Sequence, residues 1–152
     1  MKTKTIITEL TQEDLVDLLC TATYGSNWLD CYAPNRLGLD ITESDCREDV
    51  WAKALLAGHS IECIDYYAEE EAYGNLPHTT DEEGNVTYIV TLEDIMKGLQ
   101  ACFDGTFKGD DNAKSWLKEC FYHFADKGSM ELDQPEAEAL MQVIMFNELI
   151  YG

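Results

Sequence analysis

The sequence predicts an α+β protein in which a small, mainly antiparallel sheet is packed by about five helices, the last of them an apolar C-terminal helix. Two observations favour this class. Helix-capping residues precede several segments whose apolar residues recur every three or four positions. The segments "SIECIDYY" and "VTYIV" instead have the β-branched or alternating character of strands, and the polar turn "DEEGN" precedes the second. With 152 residues and 45% hydrophobic content, we expect one domain, residues 1–152, around one core.

The first elements are a predicted strand and a predicted helix. The β-branched stretch "TKTIITEL" favours a strand. Thr11 as N-cap with Asp14 three residues later predicts a helix that ends at Gly25. The apolar residues of this helix fit one face: Leu15, Leu18, Leu19 and Ala22. We expect "SNWLDCYA" to form a second short helix that stops near Pro34, and "RLGLDIT" to form a short strand.

The middle of the chain predicts a helix followed by a hairpin. Ser44 is the expected N-cap of "DCREDVWAKALLA", and Gly58 the expected end of that helix. In "SIECIDYY", the alternation groups Ile61 and Cys63 on one face, with Asp65 as a further member. The turn "DEEGN" then predicts a hairpin into "VTYIV".

Three helices are predicted in the C-terminal half. Thr91 and Asp94 repeat the capping pattern before "LEDIMKGLQACF". A further helix spans roughly residues 112–126 and ends at Gly128. Asp133 and Glu136 then cap the last helix, with Pro135 in the tolerated first turn. Apolar residues surround that helix almost completely, which places it in the core or against a partner: Leu140, Met141, Val143, Ile144, Met145, Phe146, Leu149 and Ile150.

The charge of the chain constrains its partners. Thirty acidic residues against ten basic ones give a net charge of −20. Such a protein repels nucleic acid and anionic lipid and favours basic partners or cations. The imbalance is greatest between Lys53 and Lys97, where there is no basic residue. We therefore expect no direct binding to nucleic acid.

The stretch "DYYAEEEAYGNLPHTTDEEG", from Asp65 to Gly84, is the candidate interaction site. Carboxylates spaced along a loop and a hairpin can imitate the phosphates of a duplex, and nearby tyrosines add contact area. The alternative is a solvated acidic loop that only maintains solubility. The predicted partner-binding residues are Glu62, Asp65, Glu69, Glu70, Glu71, Tyr73, Asp81, Glu82 and Glu83.

No motif in the chain identifies a catalytic or metal site. The sequence has no G-x-S-x-G, no glycine-rich phosphate loop and no EF-hand spacing. The six cysteines include no C-x-x-C pair, and most of them look like small core residues of a protein from a reducing compartment. Cys120 with His123, and His59 with Cys63, would form a zinc site only if the fold joined the two pairs. We expect no catalytic residue, no metal and no cofactor.

Three segments carry a resemblance to a known family. They are "LTQEDLVDLLCTATYGSNWLDCYA", "VTYIVTLEDIMKGLQACF" and "ALMQVIMFNELIYG", and together they span most of the chain. The chain resembles an uncharacterised family of small acidic proteins from phages and integrative elements of gut Firmicutes. Between about Asp65 and Thr87 it departs from that family, being longer and more acidic. The resemblance implies a mobile-element accessory protein in a bacterial cytoplasm and supplies no activity.

These observations favour a non-enzymatic protein that inhibits a basic nucleic-acid-binding protein, such as a defence nuclease, by nucleic-acid mimicry. An alternative is a self-associating scaffold domain whose contact set is Met145, Phe146, Ile150 and Tyr151. A third is a small hydrolase that uses paired carboxylates or Cys120 with His123. No signal peptide and no run of 18 apolar residues appears, so we expect a cytoplasmic protein without membrane contact.

Overall fold

The computed structural model describes residues 9–126 and 132–151, with side chains up to residue 122 in the first range. Its helices are α1 (Gln12–Thr23), α2 (Arg47–Leu56), α3 (Leu92–Asp104), α4 (Asp111–Asp126) and α5 (Gln134–Phe146). Its strands are β1 (Leu29–Tyr32), β2 (Ile61–Asp65), β3 (His78–Thr80) and β4 (Val86–Val90). The predicted α+β class is confirmed. The strand predicted for "TKTIITEL" and the helix end at Gly128 fall mainly or wholly outside the described residues.

The strands form one antiparallel sheet in the order β1-β2-β4-β3. The predicted hairpin is present, and its turn is closed by the Asp81 amide, which donates to the Asn85 carbonyl at 3.0 Å. Alternate residues of β2 and β4 are buried, which places Ile61, Cys63 and Asp65 on the core face of β2. The sheet thus presents one face to the core and the other to its surroundings.

Three predicted caps are confirmed. The Thr11 amide donates to the Asp14 carboxylate at 2.9 Å, and the Asp14 amide donates to the Thr11 hydroxyl at 3.1 Å. The same reciprocal pair is formed by Thr91 with Asp94, and by Asp133 with Glu136. These pairs satisfy amides that the first helical turn would otherwise leave without partners.

Three predictions in the first third of the chain are wrong. The segment "SNWLDCYA" contains strand β1 instead of a helix, because it pairs with β2 and buries Leu29 and Cys31. The segment "RLGLDIT" forms a turn, in which the Leu39 amide donates to the Arg36 carbonyl at 3.2 Å. Helix α2 is capped at Cys46 instead of Ser44.

The shift of that cap has a local cause. The Asp49 carboxylate accepts from the Cys46 amide at 2.9 Å, as in a capping box. The Ser44 hydroxyl is instead 2.9 Å from the Thr42 hydroxyl, so it is engaged outside the helix.

Helix α5 packs against α1, α3 and α4, and most of its side chains are buried. Its contact with α3 is close, because a Cβ placed on Gly98 would lie only 2.6 Å from the Ile144 Cα. The helix ends at Phe146, since Asn147 adopts a left-handed conformation with φ of 55°. The prediction that Leu149 and Ile150 belong to this helix is wrong, because both lie half-buried in the segment that follows it. Among the helices of the described ranges, none has the length and apolar character needed to cross a bilayer.

Candidate functional site: an acidic surface and an aromatic pocket

Five exposed glutamates from two segments form what we call the acidic surface: Glu69, Glu70, Glu71, Glu82 and Glu83. The first three lie in the loop between β2 and β3, residues 66–77, which we call the acidic loop, and the last two lie in the turn between β3 and β4. All five were predicted as partner-binding residues.

A backbone contact joins these two segments. The Glu70 amide donates to the Gly84 carbonyl at 2.8 Å, so the loop lies against the hairpin turn. Glu69 and Glu70 both have positive φ, 49° and 69°, which is uncommon for residues with a side chain. A Cβ on Gly84 would lie 3.2 Å from the Glu70 Cγ, so a larger residue there would crowd the contact. The geometry brings the loop glutamates beside the turn glutamates.

The acidic surface has no basic side chain to neutralise it within the described ranges. The ion pairs there join Arg47, Lys53, Lys97 and Lys108 to other acids. The nearest basic residues along the chain are Lys53 and Lys97. Glu71 accepts one hydrogen bond, from the Tyr73 hydroxyl at 3.2 Å. The surface therefore carries an uncompensated negative charge.

Three further predicted residues have structural contacts. Glu62 is half-buried on β2. Asp81 is exposed, but its carboxylate accepts from the Glu83 and Asn85 amides at 2.9 and 3.0 Å, so it shapes the turn. Tyr73 is half-buried: its amide donates to the Tyr88 hydroxyl at 2.9 Å, and its ring centroid is 5.7 Å from that of Phe146.

Asp65 does not belong to the surface, and its predicted role in partner binding is wrong. Its side chain is fully buried because it occupies a core-facing position of β2. Its carboxylate accepts from the Tyr151 hydroxyl at 2.7 Å and from the Tyr67 amide at 2.9 Å. Burial raises the pKa of Asp65 above its ordinary value, and the two hydrogen bonds partly oppose that rise. Asp65 therefore anchors the start of the acidic loop from inside the protein.

Two members of the candidate zinc pairs, Cys63 and His59, have other neighbours in the described structure. Cys63 lies 3.6 Å from Cys31, sulfur to sulfur, and His59 Nε2 is 2.9 Å from the Leu37 carbonyl oxygen. The side chain of His123 is outside the described residues. Over the described ranges, no group of three or more His, Cys, Asp or Glu side chains could hold a metal ion. Burial raises the pKa of Cys120 to about 12, which disfavours the thiolate that a nucleophile requires.

Sequence reasoning missed a pocket of about 390 Å³ beside the acidic loop. Four aromatic side chains from four separate segments line it: Trp28, Tyr67, Trp116 and Tyr151. Glu138 and Gln142 of α5 contribute a carboxylate and a carboxamide to the lining. We call this the aromatic pocket. Because its residues lie up to about 120 positions apart along the chain, no local pattern indicates it.

The aromatic rings of the pocket are inclined to one another. The Trp28 and Tyr151 ring centroids are 5.2 Å apart with their planes at 51°, and those of Tyr67 and Tyr151 are 5.6 Å apart at 89°. The Tyr151 hydroxyl that binds Asp65 fixes the central ring. The pocket volume is in the range of small-ligand sites, roughly 300–1,000 Å³.

Comparison of the chain with protein-family models, with curated proteins and with solved structures gives no match. The acidic surface and the aromatic pocket are the two candidate sites of the described structure.

Proposed function

We propose that this protein is a non-enzymatic inhibitor that binds a basic nucleic-acid-binding protein through the acidic surface. The partner we favour is a nuclease of a defence system, and the inhibitor is a mobile-element protein acting in a bacterial cytoplasm. The observation that carries the proposal is the backbone contact between Glu70 and Gly84, which groups glutamates of two segments without a neutralising base.

Electrostatics supports a basic groove as the binding site on the partner. A groove that binds phosphates releases condensed counterions when nucleic acid enters, and a dense set of carboxylates can gain part of the same free energy. Like-charge repulsion meanwhile keeps the inhibitor away from nucleic acid. The acidic surface thus favours proteins that bind nucleic acid over nucleic acid itself.

The positioning of the loop supports the same proposal. Asp65 accepts from the Tyr67 amide, and the Glu70 amide donates to the hairpin turn, so the glutamate segment is held just before its start and at its middle residue. A surface that is ordered before binding loses less conformational entropy when the complex forms. These contacts distinguish the acidic surface from a flexible, fully solvated stretch of acidic residues.

The scaffold alternative has less structural support. Met145 and Phe146 are only 1% and 2% exposed, and Ile150 and Tyr151 are half-buried. These four side chains pack mainly within one chain and offer a second copy little apolar area. Self-association would need another surface.

The test is affinity capture from a nuclease-treated bacterial lysate, at about 50 and about 500 mM salt. Three baits are compared: the unaltered protein, a surface variant and a control variant. The surface variant carries Glu→Gln at positions 69, 70, 71, 82 and 83. The control variant removes five exposed acids outside the acidic surface: E9Q, E13Q, D40N, E43Q and E119Q.

We expect the unaltered protein and the control variant to capture a basic nucleic-acid-binding protein at low salt and release it at high salt. The surface variant should retain the same fold by circular dichroism and lose the partner. If both variants bind equally well, or capture does not respond to salt, the proposal is wrong.

A further inference from the structure

We propose that the aromatic pocket binds a trimethylammonium group. The geometry that points to this ligand is a set of mutually inclined aromatic rings with one carboxylate, Glu138, at the pocket wall. This inference does not rest on the acidic surface or on a protein partner.

Two of the polar side chains that line the pocket, those of Gln142 and Tyr151, are already engaged within the protein. The Gln142 side-chain oxygen accepts from the Ile150 and Tyr151 amides, both at 2.8 Å, and its amide nitrogen donates to the Tyr151 carbonyl at 3.0 Å. The Tyr151 hydroxyl donates to Asp65. A ligand that hydrogen-bonds to Gln142 or to the Tyr151 hydroxyl would have to compete with these contacts. A quaternary ammonium has no N–H donor and no acceptor, so it needs none of them.

The remaining features favour a positive charge. Tryptophan and tyrosine faces attract cations through their quadrupoles, and aromatic cages bind quaternary ammonium groups in this way. Tyr67 and Tyr151 both line the pocket, and their rings are nearly perpendicular with centroids 5.6 Å apart. Trp116 on α4 and Trp28 beside β1 contribute further aromatic surface.

Charge complementarity supports the same ligand. Glu138 is the one charged residue lining the pocket, and no ion pair of its side chain occurs within the described residues. The Asp65 carboxyl group accepts from the Tyr151 hydroxyl at 2.7 Å, so a second acidic group lies at the edge of the pocket. Glu138 would repel an anionic ligand, and a neutral apolar ligand would gain no electrostatic attraction from this carboxylate.

The experiment is a binding titration with choline and with its neutral isostere 3,3-dimethylbutan-1-ol, at constant ionic strength set with NaCl. Calorimetry reports the affinity, and tryptophan fluorescence reports occupancy through Trp28 and Trp116. A second pair of probes, a trimethyllysine peptide and the same peptide with unmodified lysine, distinguishes a free small cation from a modified side chain on a protein.

Two variants and their matched controls locate the site. Trp116→Ala removes a wall residue that is 41% exposed, so the fold should tolerate it. Its control is Tyr122→Ala, an aromatic on the same helix that is 45% exposed and does not line the pocket. Glu138→Gln removes the carboxylate, and Glu119→Gln is its control.

We expect at least one trimethylammonium probe to bind about tenfold more tightly than its uncharged or unmethylated counterpart. Trp116→Ala should weaken binding by about tenfold and Glu138→Gln by a smaller factor, with both controls unchanged. The inference is overturned if neither trimethylammonium probe binds, if the neutral isostere and the unmodified peptide bind as tightly as their charged counterparts, or if Tyr122→Ala weakens binding as much as Trp116→Ala.

Discussion

Asp65 connects the core to both candidate sites. Its carboxylate fixes the ring of Tyr151, which lines the aromatic pocket, and the amide of Tyr67, which begins the acidic loop. A fully buried carboxylate is costly unless hydrogen bonds compensate for the lost hydration. The sequence grouped Asp65 with the core-facing residues of its strand through the alternation. It could not show that Tyr151, 86 positions away, would supply the partner.

Asp65 should make the stability of the protein depend on pH in a defined direction. Because burial raises its pKa in the folded state, the folded protein binds more protons than the unfolded chain between the unfolded and folded pKa values. The contribution of Asp65 to the free energy of unfolding is therefore greatest below the unfolded pKa, about 3.9, and is lost as pH rises through the folded pKa.

Comparison with Asp65→Asn isolates this effect, because the amide does not titrate. We expect the free energy of unfolding of the unaltered protein, minus that of the variant, to fall as pH rises from about 4 to 7. Urea denaturation across this range measures it. A difference that grows with pH would show that the ionised form of Asp65 is the favoured one in the folded protein.

At the scale of elements, the sequence predicts features that depend on neighbouring residues better than features that depend on contact with a distant segment. The capping pairs at Thr11, Thr91 and Asp133 depend on residues three positions apart, and all three are present. Strand β1 depends on a partner about 30 residues away, so "SNWLDCYA" alone favoured the wrong element. The close contact of α3 with α5 is likewise not readable from either helix alone.

That helix contact predicts the effect of Gly98→Ala. In an exposed helix this change would stabilise the protein by about 1 kcal/mol. Here the new Cβ would lie 2.4 Å from the Ile144 Cγ1 and 2.6 Å from the Ile144 Cα. Because a backbone atom is involved, the helices must move apart, and we expect a loss of about 1–3 kcal/mol in urea denaturation.

The double variant Gly98→Ala with Ile144→Ala serves as the control. It removes the overlap of the new Cβ with the Ile144 Cγ1 and leaves its overlap with the Cα of residue 144. We therefore expect the double variant to be less stable than Ile144→Ala alone. If Gly98→Ala is as stable as the unaltered protein, the two helices are not in close contact.

At the scale of the whole molecule, the charge is both a functional feature and a cost. The net charge of −20 and the lack of basic residues between Lys53 and Lys97 were evident in the sequence. The sequence did not show which acids would be grouped. That grouping depends on the left-handed conformations of Glu69 and Glu70 and on their contact with the hairpin turn.

Salt should stabilise the protein because it screens this repulsion. We expect the thermal midpoint to rise between about 50 and about 500 mM NaCl. The surface variant should gain less from salt than the control variant, although each removes five charges, because its charges are the closely grouped ones. Differential scanning calorimetry of the two variants gives the comparison, and equal gains would indicate that the five glutamates do not repel one another strongly.

The most direct test of the proposed mimicry is competition. The captured partner is purified, bound to the immobilised protein and titrated with a short DNA or RNA duplex. If the acidic surface occupies the partner's nucleic-acid groove, the duplex should release the partner, and the duplex concentration required should rise with the amount of immobilised protein. A partner that binds both at once, without mutual displacement, would contradict the proposal that the acidic surface takes the place of nucleic acid.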